Sequence, residues 1–258
     1  MPTNLINHDQ EEKTWRYFTM KVEINSEKIK SIYMRKHPLF MHLNDEQFKI
    51  ICGEARIIKL RKKSPFLLNT DHISKIYFLA SGTAKLVSFN SLGENAVRDI
   101  LVEGEIFGDF SFTGINADGY VTGLRTNTYM LYLAADEFKK MLQHNHLLSF
   151  YYAGIISTKL RHLESRHSIW TNEDARVRLL YFFQGWTACA GKKETDKVIL
   201  DNYFALNDIA EFIGVSRQFM HVMIKELKEE GLLYYTRKKI EVMHAFLSQG
   251  TLKQKTAV

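Results

Sequence analysis

Arg217, Gln218, His221, Val222 and Lys225 fall on one side of a segment in which Met220, Met223, Ile224 and Leu227 recur at helical spacing. The first set is charged, polar or small and apolar, and the second is a core stripe. Gly214, just upstream, can take the left-handed conformation of a tight interhelical turn, and Ser216 can cap the helix that follows. A short helix that buries one side and presents such a mixed face at its N-terminal end suits a DNA major groove. An ordinary helical hairpin with a solvated face has the same local pattern, so the neighbouring elements must decide.

The element behind this helix is informative. Residues 232–235 and 240–243 have strand-like apolar content around Thr236-Arg-Lys-Lys239. A hairpin with Arg237, Lys238 and Lys239 at its tip can lay cations against phosphates. Helix, turn, helix and basic wing together are more specific than any one of them. From Ser216 onward eight basic residues face four acidic ones. Much of the chain's net charge of +6 therefore sits where a polyanion would be met.

The rest of the chain is ordinary in composition, with 258 residues, 45% hydrophobic and 25% charged. That length permits two domains. No run approaches the roughly 18 apolar residues of a membrane span. The N-terminus lacks a charged-then-apolar leader pattern, so the sequence predicts a cytoplasmic protein with no membrane partner. Cys52 and Cys189 are far apart and lack a second cysteine at ligand spacing, so no iron–sulfur cluster or structural zinc is expected.

Residues 1–38 read as a polar extension, with an imperfect helix over 21–34 and Pro38 closing it. Asn44 caps a short helix through Ile51. Strands are predicted over 56–60, 75–80, 84–89, 95–101 and 124–133, punctuated by Gly82, Gly93, Gly104 and Gly108, which suggests a small β-barrel or roll. From residue 136 the pattern turns helical to about His167. Leu148, Tyr152, Ile156, Leu160 and Leu163 form a narrow stripe there that would pair with a copy of itself. His144, His146, His162 and His167 crowd that helix without a pairing at three or four residues on one face, so neither haem nor metal is expected. A capped restart at 171–174 leads to another apolar helix, residues 191–196 read as a loop, and 198–204 as a strand. No nucleophile–base group, phosphate-binding loop or paired acids stand out, so no enzyme is expected.

This order of parts resembles the Crp/Fnr family of bacterial transcription regulators. Ile76-Tyr-Phe-Leu-Ala-Ser-Gly-Thr-Ala-Lys-Leu-Val87 is similar to its strand–Gly–strand signature. Gly104-Glu-Ile-Phe-Gly-Asp109 resembles the opening of its cyclic-nucleotide cassette, and Ile213-Gly-Val-Ser-Arg-Gln218 the start of its recognition helix. The resemblance implies an α+β chain of four parts. Residues 1–38 form an extension, 39–135 a β-roll (a double-stranded β-helix, jelly-roll-like) sensor domain, 136–170 a helical segment with the dimerisation helix, and 171–258 a winged helix–turn–helix domain. It also implies a homodimer on a two-fold double-stranded operator, with RNA polymerase as a further candidate partner. Arg217 matches the family's arginine for guanine or phosphate. Gln218 replaces a common Glu and can bond adenine, and Val222 replaces a common arginine and can meet a thymine methyl. The expected half-site therefore departs from the family's TGTGA-like sequence toward A·T pairs.

On the effector side the resemblance implies a pocket of Gly108, Asp109, Phe110, Tyr120, Val121, Arg125, Leu163 and Glu164. Here Asp109 stands for a ribose-binding Glu, and Tyr120-Val121 falls where an Arg-Ser or Arg-Thr pair would hold the cyclic phosphate. A buried phosphate needs a guanidinium or comparable donors. Arg125 steps to another strand face, and Glu164 would repel the anion. Cyclic AMP is not expected, and the effector is left unnamed. An alternative is a ligand-sensing module that acts through a protein partner, with vestigial DNA binding.

Overall fold

Alternation along the strands sorts the β residues into two separate cores. The computed structural model describes residues 27–68, 73–89, 95–113 and 119–249, and residues 1–26 of the expected extension lie outside them. The chain divides into two units, Met1–Ile156 and Ser157–Val258.

In the first unit, helices α1 (Glu27–Lys36) and α2 (Asp45–Glu54) precede eight strands. These are β1 (Arg56–Leu60), β2 (Phe66–Leu67), β3 (Lys75–Ser81), β4 (Thr83–Phe89), β5 (Asn95–Val102), β6 (Ile106–Gly108), β7 (Tyr120–Gly123) and β8 (Thr128–Ala134). They make two antiparallel four-stranded sheets, ordered β1-β8-β3-β6 and β2-β7-β4-β5. Ile58, Leu60, Tyr77, Leu79, Phe107 and Met130 cluster with Leu86, Leu101 and Val121 of the second sheet. Ile57, Ile76, Phe78, Ala80, Leu131 and Leu133 instead join Phe40, Phe48 and Phe138 under the helices. The first sheet is buried on both faces, which is why 76–80 reads as a continuous apolar run.

Asn44 caps α2 as expected: its Oδ1 accepts from Gln47 N at 2.8 Å, and Gln47 Oε1 accepts from Asn44 N at 3.4 Å. The helix runs past Ile51 to Glu54. Residues 27–38, read as extension, are instead part of this unit. Met34 is fully buried in the helix-covered core, and the buried Lys30 donates to the Ala55 carbonyl at 3.1 Å at the end of α2. The apolar Ile29 and Ile32 face outward, while Lys30 and His37 face in, so apolar spacing does not mark the buried side of α1.

Two further corrections concern the strands. The last one begins at Thr128, not 124: residues 124–127 turn, and Thr128 Oγ1 donates back to the Arg125 carbonyl at 2.9 Å. The short strands β2, β6 and β7 have too few residues for a periodic signal.

After β8 come α3 (Ala135–His144) and the long α4 (His146–Asn172), and the division between units falls within α4. Leu148 and Tyr152, expected in a seam between subunits, belong to the first unit's own core, with Ile156 packed partly against it. In the second unit follow α5 (Ala175–Ala190), capped by Asp174 Oδ1 at 3.0 Å from Val177 N, then β9 (Lys192–Lys193) and β10 (Lys197–Asp201). Helices α6 (Leu206–Ile213) and α7 (Arg217–Glu229), strands β11 (Leu233–Tyr235) and β12 (Lys239–Met243), and α8 (His244–Leu247) complete it. Its sheet is ordered β11-β12-β10-β9, so the stretch expected as a loop at 191–196 contains a short edge strand. Phe182, Phe183, Trp186 and Phe204 pack edge-on or stacked in its interior.

Candidate nucleic-acid interface and effector region

Helix α7 is held at both ends. At its start, Gly214 adopts φ 73° and ψ 44°, so α6 stops in a left-handed residue that a side chain would strain. The last carbonyls of α6 find side-chain donors. Trp170 Nε1 donates to the Phe212 carbonyl at 3.1 Å, and Arg178 Nη1 to that of Ile213 at 3.0 Å. Ser216 Oγ then accepts from Phe219 N at 3.1 Å, which caps α7. At its far end Glu230 receives both Nη groups of Arg176, at 2.7 and 2.5 Å. That paired hydrogen bond holds the Glu230 carboxyl below its usual range and Arg176 above its own. Trp170, Arg176 and Arg178 were missed in the sequence, because nothing local to them points to residues 35 to 54 positions away.

Met220, Met223 and Leu227 are buried, while Arg217, Gln218, His221, Val222 and Lys225 are exposed, as the spacing predicted. Phe219 is exposed too, which the sequence reading passed over. Leu232 N donates back to the Leu227 carbonyl at 2.9 Å, so the hairpin β11–β12 starts directly from the end of α7. Its tip is closed by Thr236, whose Oγ1 accepts from Lys239 N at 3.0 Å and donates to the Lys239 carbonyl at 2.6 Å. Asn202 anchors the same turn: its side chain donates to the Thr236 carbonyl at 2.7 Å and its backbone to that of Lys238 at 2.8 Å. Arg237, Lys238 and Lys239 are exposed on this fixed tip. One capped helix and one clamped basic hairpin, joined without a linker, make a rigid cationic surface.

Of the eight residues expected in an effector pocket, six belong to the first unit and two, Leu163 and Glu164, to the second. Gly108, Asp109 and Phe110 open a turn against α3 and α4. Gly108 has φ 89°, and a Cβ there would stand 2.5 Å from the Lys75 carbonyl, so only glycine fits. The buried Asp109 carboxylate accepts from Ser74 Oγ at 2.5 Å, from Thr113 N at 3.0 Å and from Thr113 Oγ1 at 3.3 Å. It organises its own turn. Phe112 is left-handed at φ 56°, with its ring between those of Phe138 and Tyr152, at 6.2 and 5.8 Å. The Tyr152 hydroxyl donates to the Phe110 carbonyl, and burial together with the Asp109 charge raises the Tyr152 pKa. Tyr152→Phe is expected to lower stability by ~1 kcal/mol and to speed amide exchange in the 109–113 turn, read by hydrogen exchange with mass spectrometry.

Tyr120 and Val121 are neighbours on β7 and so face opposite ways. Val121 pairs with Leu86 inside the roll, whereas the Tyr120 ring lies 6.1 Å from that of Phe89 on the other face. Arg125 is in the exposed turn before β8 rather than on a strand. Leu163 and Glu164 lie beyond Ile156, in the second unit, Leu163 half-buried and Glu164 exposed. The roll interior itself is occupied by Tyr77, whose ring stacks on Phe107 at 5.1 Å, lies 6.4 Å from Phe66, and donates its hydroxyl to the Leu68 carbonyl at 2.9 Å. Residues 76–80 are apolar on both faces, so nothing local marked Tyr77 as the side chain that fills the roll. Among the described residues no three His, Cys, Asp or Glu side chains gather into a metal-binding group. No helix among them is long and apolar enough to cross a membrane.

A β-roll followed by a long helix and a winged helix–turn–helix defines the class. No family model matches the chain. It is 22% identical over 208 residues to the probable transcriptional regulator flp of Lacticaseibacillus casei, covering 81% of this chain and 92% of that one. Among solved structures it matches a CooA mutant from Carboxydothermus hydrogenoformans at TM-score 0.66 and 19% identity, over 86% of this chain and 97% of the other. A Crp/Fnr-family regulator from Eubacterium rectale matches at TM-score 0.59 and 17% identity, over 85% and 98%. In sequence the chain is similar to a transcriptional regulator, and in fold it resembles a regulator of the Crp/Fnr type.

Proposed function

We propose that this chain is a homodimeric, sequence-specific transcription regulator that binds a two-fold DNA site and does not respond to cyclic AMP. The observation that carries the reading is the presented face of α7, with Arg217 and Gln218 at its capped start and the clamped Arg237-Lys238-Lys239 wing directly behind it. A helix N-terminus in the major groove, with flanking cations on phosphates, is how such domains dock. RNA polymerase is a further candidate partner of a regulator of this kind.

The dimer reading moves to a different flank of α4 from the one the stripe suggested. At about 100° per residue, Leu147, Phe150, Gly154 and Ser157 share one side, away from the buried Leu148 and Tyr152. Leu147 is 44% exposed and Phe150 74%, and Leu160 of the expected stripe, further round the helix, is 54% exposed. Gly154 and Ser157 would let two such helices approach closely. Phe150→Glu is expected to shift the protein toward monomer by at least tenfold in dissociation constant, read by sedimentation equilibrium. An unchanged dimer would rule out this seam.

Against cyclic AMP stand the outward Tyr120, the apolar Val121 and the Asp109 carboxylate engaged by its own turn. Isothermal titration with cyclic AMP is expected to show no saturable heat. The DNA reading is tested by selecting bound duplexes from a random pool. Selected sites that depart from TGTGA toward A·T pairs support the roles given to Gln218 and Val222, recovery of TGTGA removes them, and failure to enrich any site removes the function.

A further inference from the structure

Helix α7 exposes two large apolar side chains, Val222 at 52% on the side turned away from the core and Phe219 at 49% on the flank beside it. Around the helix, at about 100° per residue, Gln218 stands at the middle of the presented face. Arg217 lies about 100° to one side and Phe219 about 100° to the other, with Val222 between Gln218 and Phe219. The face is therefore divided into a polar edge of Arg217 and His221 and an apolar edge of Val222 and Phe219. Burying an aromatic ring is favourable, so a surface that covered the half-exposed Phe219 at the start of α7 would gain affinity from it. Its backbone N–H is already used by the Ser216 cap, which fixes where the side chain departs.

We infer that Phe219 and Val222 form an apolar strip that reads pyrimidine 5-methyl groups in the major groove, making Phe219 a specificity-determining residue. The proposal rests on the DNA-binding reading above and deepens it. In the major groove the thymine methyl is the one apolar feature a base pair offers, and side chains without donors or acceptors recognise it by contact. The chemistry that Phe219 and Val222 can meet is a methyl at C5, whether on thymine or on 5-methylcytosine. Uracil and unmodified cytosine lack it.

The test uses the full chain and a duplex selected from a random pool, in four forms: as selected, with every thymine replaced by deoxyuridine, and with either cytosine or 5-methylcytosine at those positions paired to guanine. Fluorescence anisotropy at one fixed salt concentration gives the dissociation constants for the wild type, Phe219→Ala and Val222→Ala. Loss of one buried methyl contact is expected to weaken wild-type binding about fourfold per half-site, about fifteenfold over two. Each alanine variant is expected to show a reduced thymine-over-uracil ratio, and 5-methylcytosine to bind more tightly than cytosine at the same positions. Equal binding of the thymine and uracil duplexes by the wild type overturns the proposal. So does a full thymine preference in both alanine variants, since the preference would then come from DNA shape or from other residues. A selected duplex bound no better than random sequence would instead overturn the DNA-binding reading itself, a result distinguishable from either.

Discussion

Arg217→Ala is expected to weaken binding to a selected two-fold site by about 30-fold to 10⁴-fold, the largest effect of any single surface substitution in this chain. A good bidentate contact to guanine discriminates by about 1–3 kcal/mol, and a two-fold site doubles it. Arg217 begins α7, next to the Ser216 cap, with its side chain exposed beside Gln218. The cap matters because it holds the helix start, and with it the guanidinium, in one orientation. Repeating the titration at several salt concentrations separates two roles. If Arg217 reads guanine, the loss is concentrated at sites carrying that base pair. If it holds phosphate, the loss is uniform across sequences and the salt slope falls by about one per contact. A loss under threefold at every site would remove Arg217 from the interface. Lysine at this position is expected to restore little under the guanine reading, because it lacks the planar fork.

Acidification is expected to destabilise the first unit through His37, by about 3 kcal/mol in full. His37 is buried against the rings of Phe40 and Phe78, at 5.4 Å from each. Its Nδ1 accepts from Leu39 N at 3.2 Å, and no hydrogen-bond partner meets Nε2 among the described residues. Burial pushes its pKa down from 6.5 to about 4, offset in part by the nearby Gly104 backbone. The folded state thus binds its proton more weakly than the unfolded chain does. The contribution is whole above pH 6.5, is lost progressively as pH falls toward 4, and stays lost below that. Chemical denaturation at a series of pH values measures it. The difference between the wild type and His37→Leu isolates this group from the carboxylates that titrate nearby. An identical pH slope in both proteins between 6.5 and 4 would contradict it.

Much of the architecture was legible along the chain because its signals are local. Asn44 with Gln47, Gly214 with Ser216, and Thr236-Arg-Lys-Lys239 each announce a cap, turn or tip within four residues. The apolar period of α7 separates its core and solvent sides without reference to anything else. The short strands β2, β6 and β7 escaped, since two to four residues hold no period. Within the stripe Leu148, Tyr152, Ile156, Leu160 and Leu163, Leu148 and Tyr152 turn into the first unit's core while Leu160 stays exposed. Periodicity shows that a helix has an apolar side, but not whether that side meets its own domain or another copy. Here it meets Phe138 and the sheet behind it.

The sequence by itself determined the order of elements, the exposed face of α7 and the basic tip of the wing, because caps, helical period and charge clusters are set by residues near one another. Only the tertiary structure decided what lies in the roll. Strand pairing turned Tyr120 and Val121 to opposite faces, brought Ser74 and Thr113 onto Asp109, and set Tyr77 against Phe107 inside. It also decided that Trp170, Arg176 and Arg178 position α7 from a distance, and that Phe219 stays exposed. Those outcomes depend on contacts between residues far apart in the chain, and no local pattern records which surface a side chain will meet.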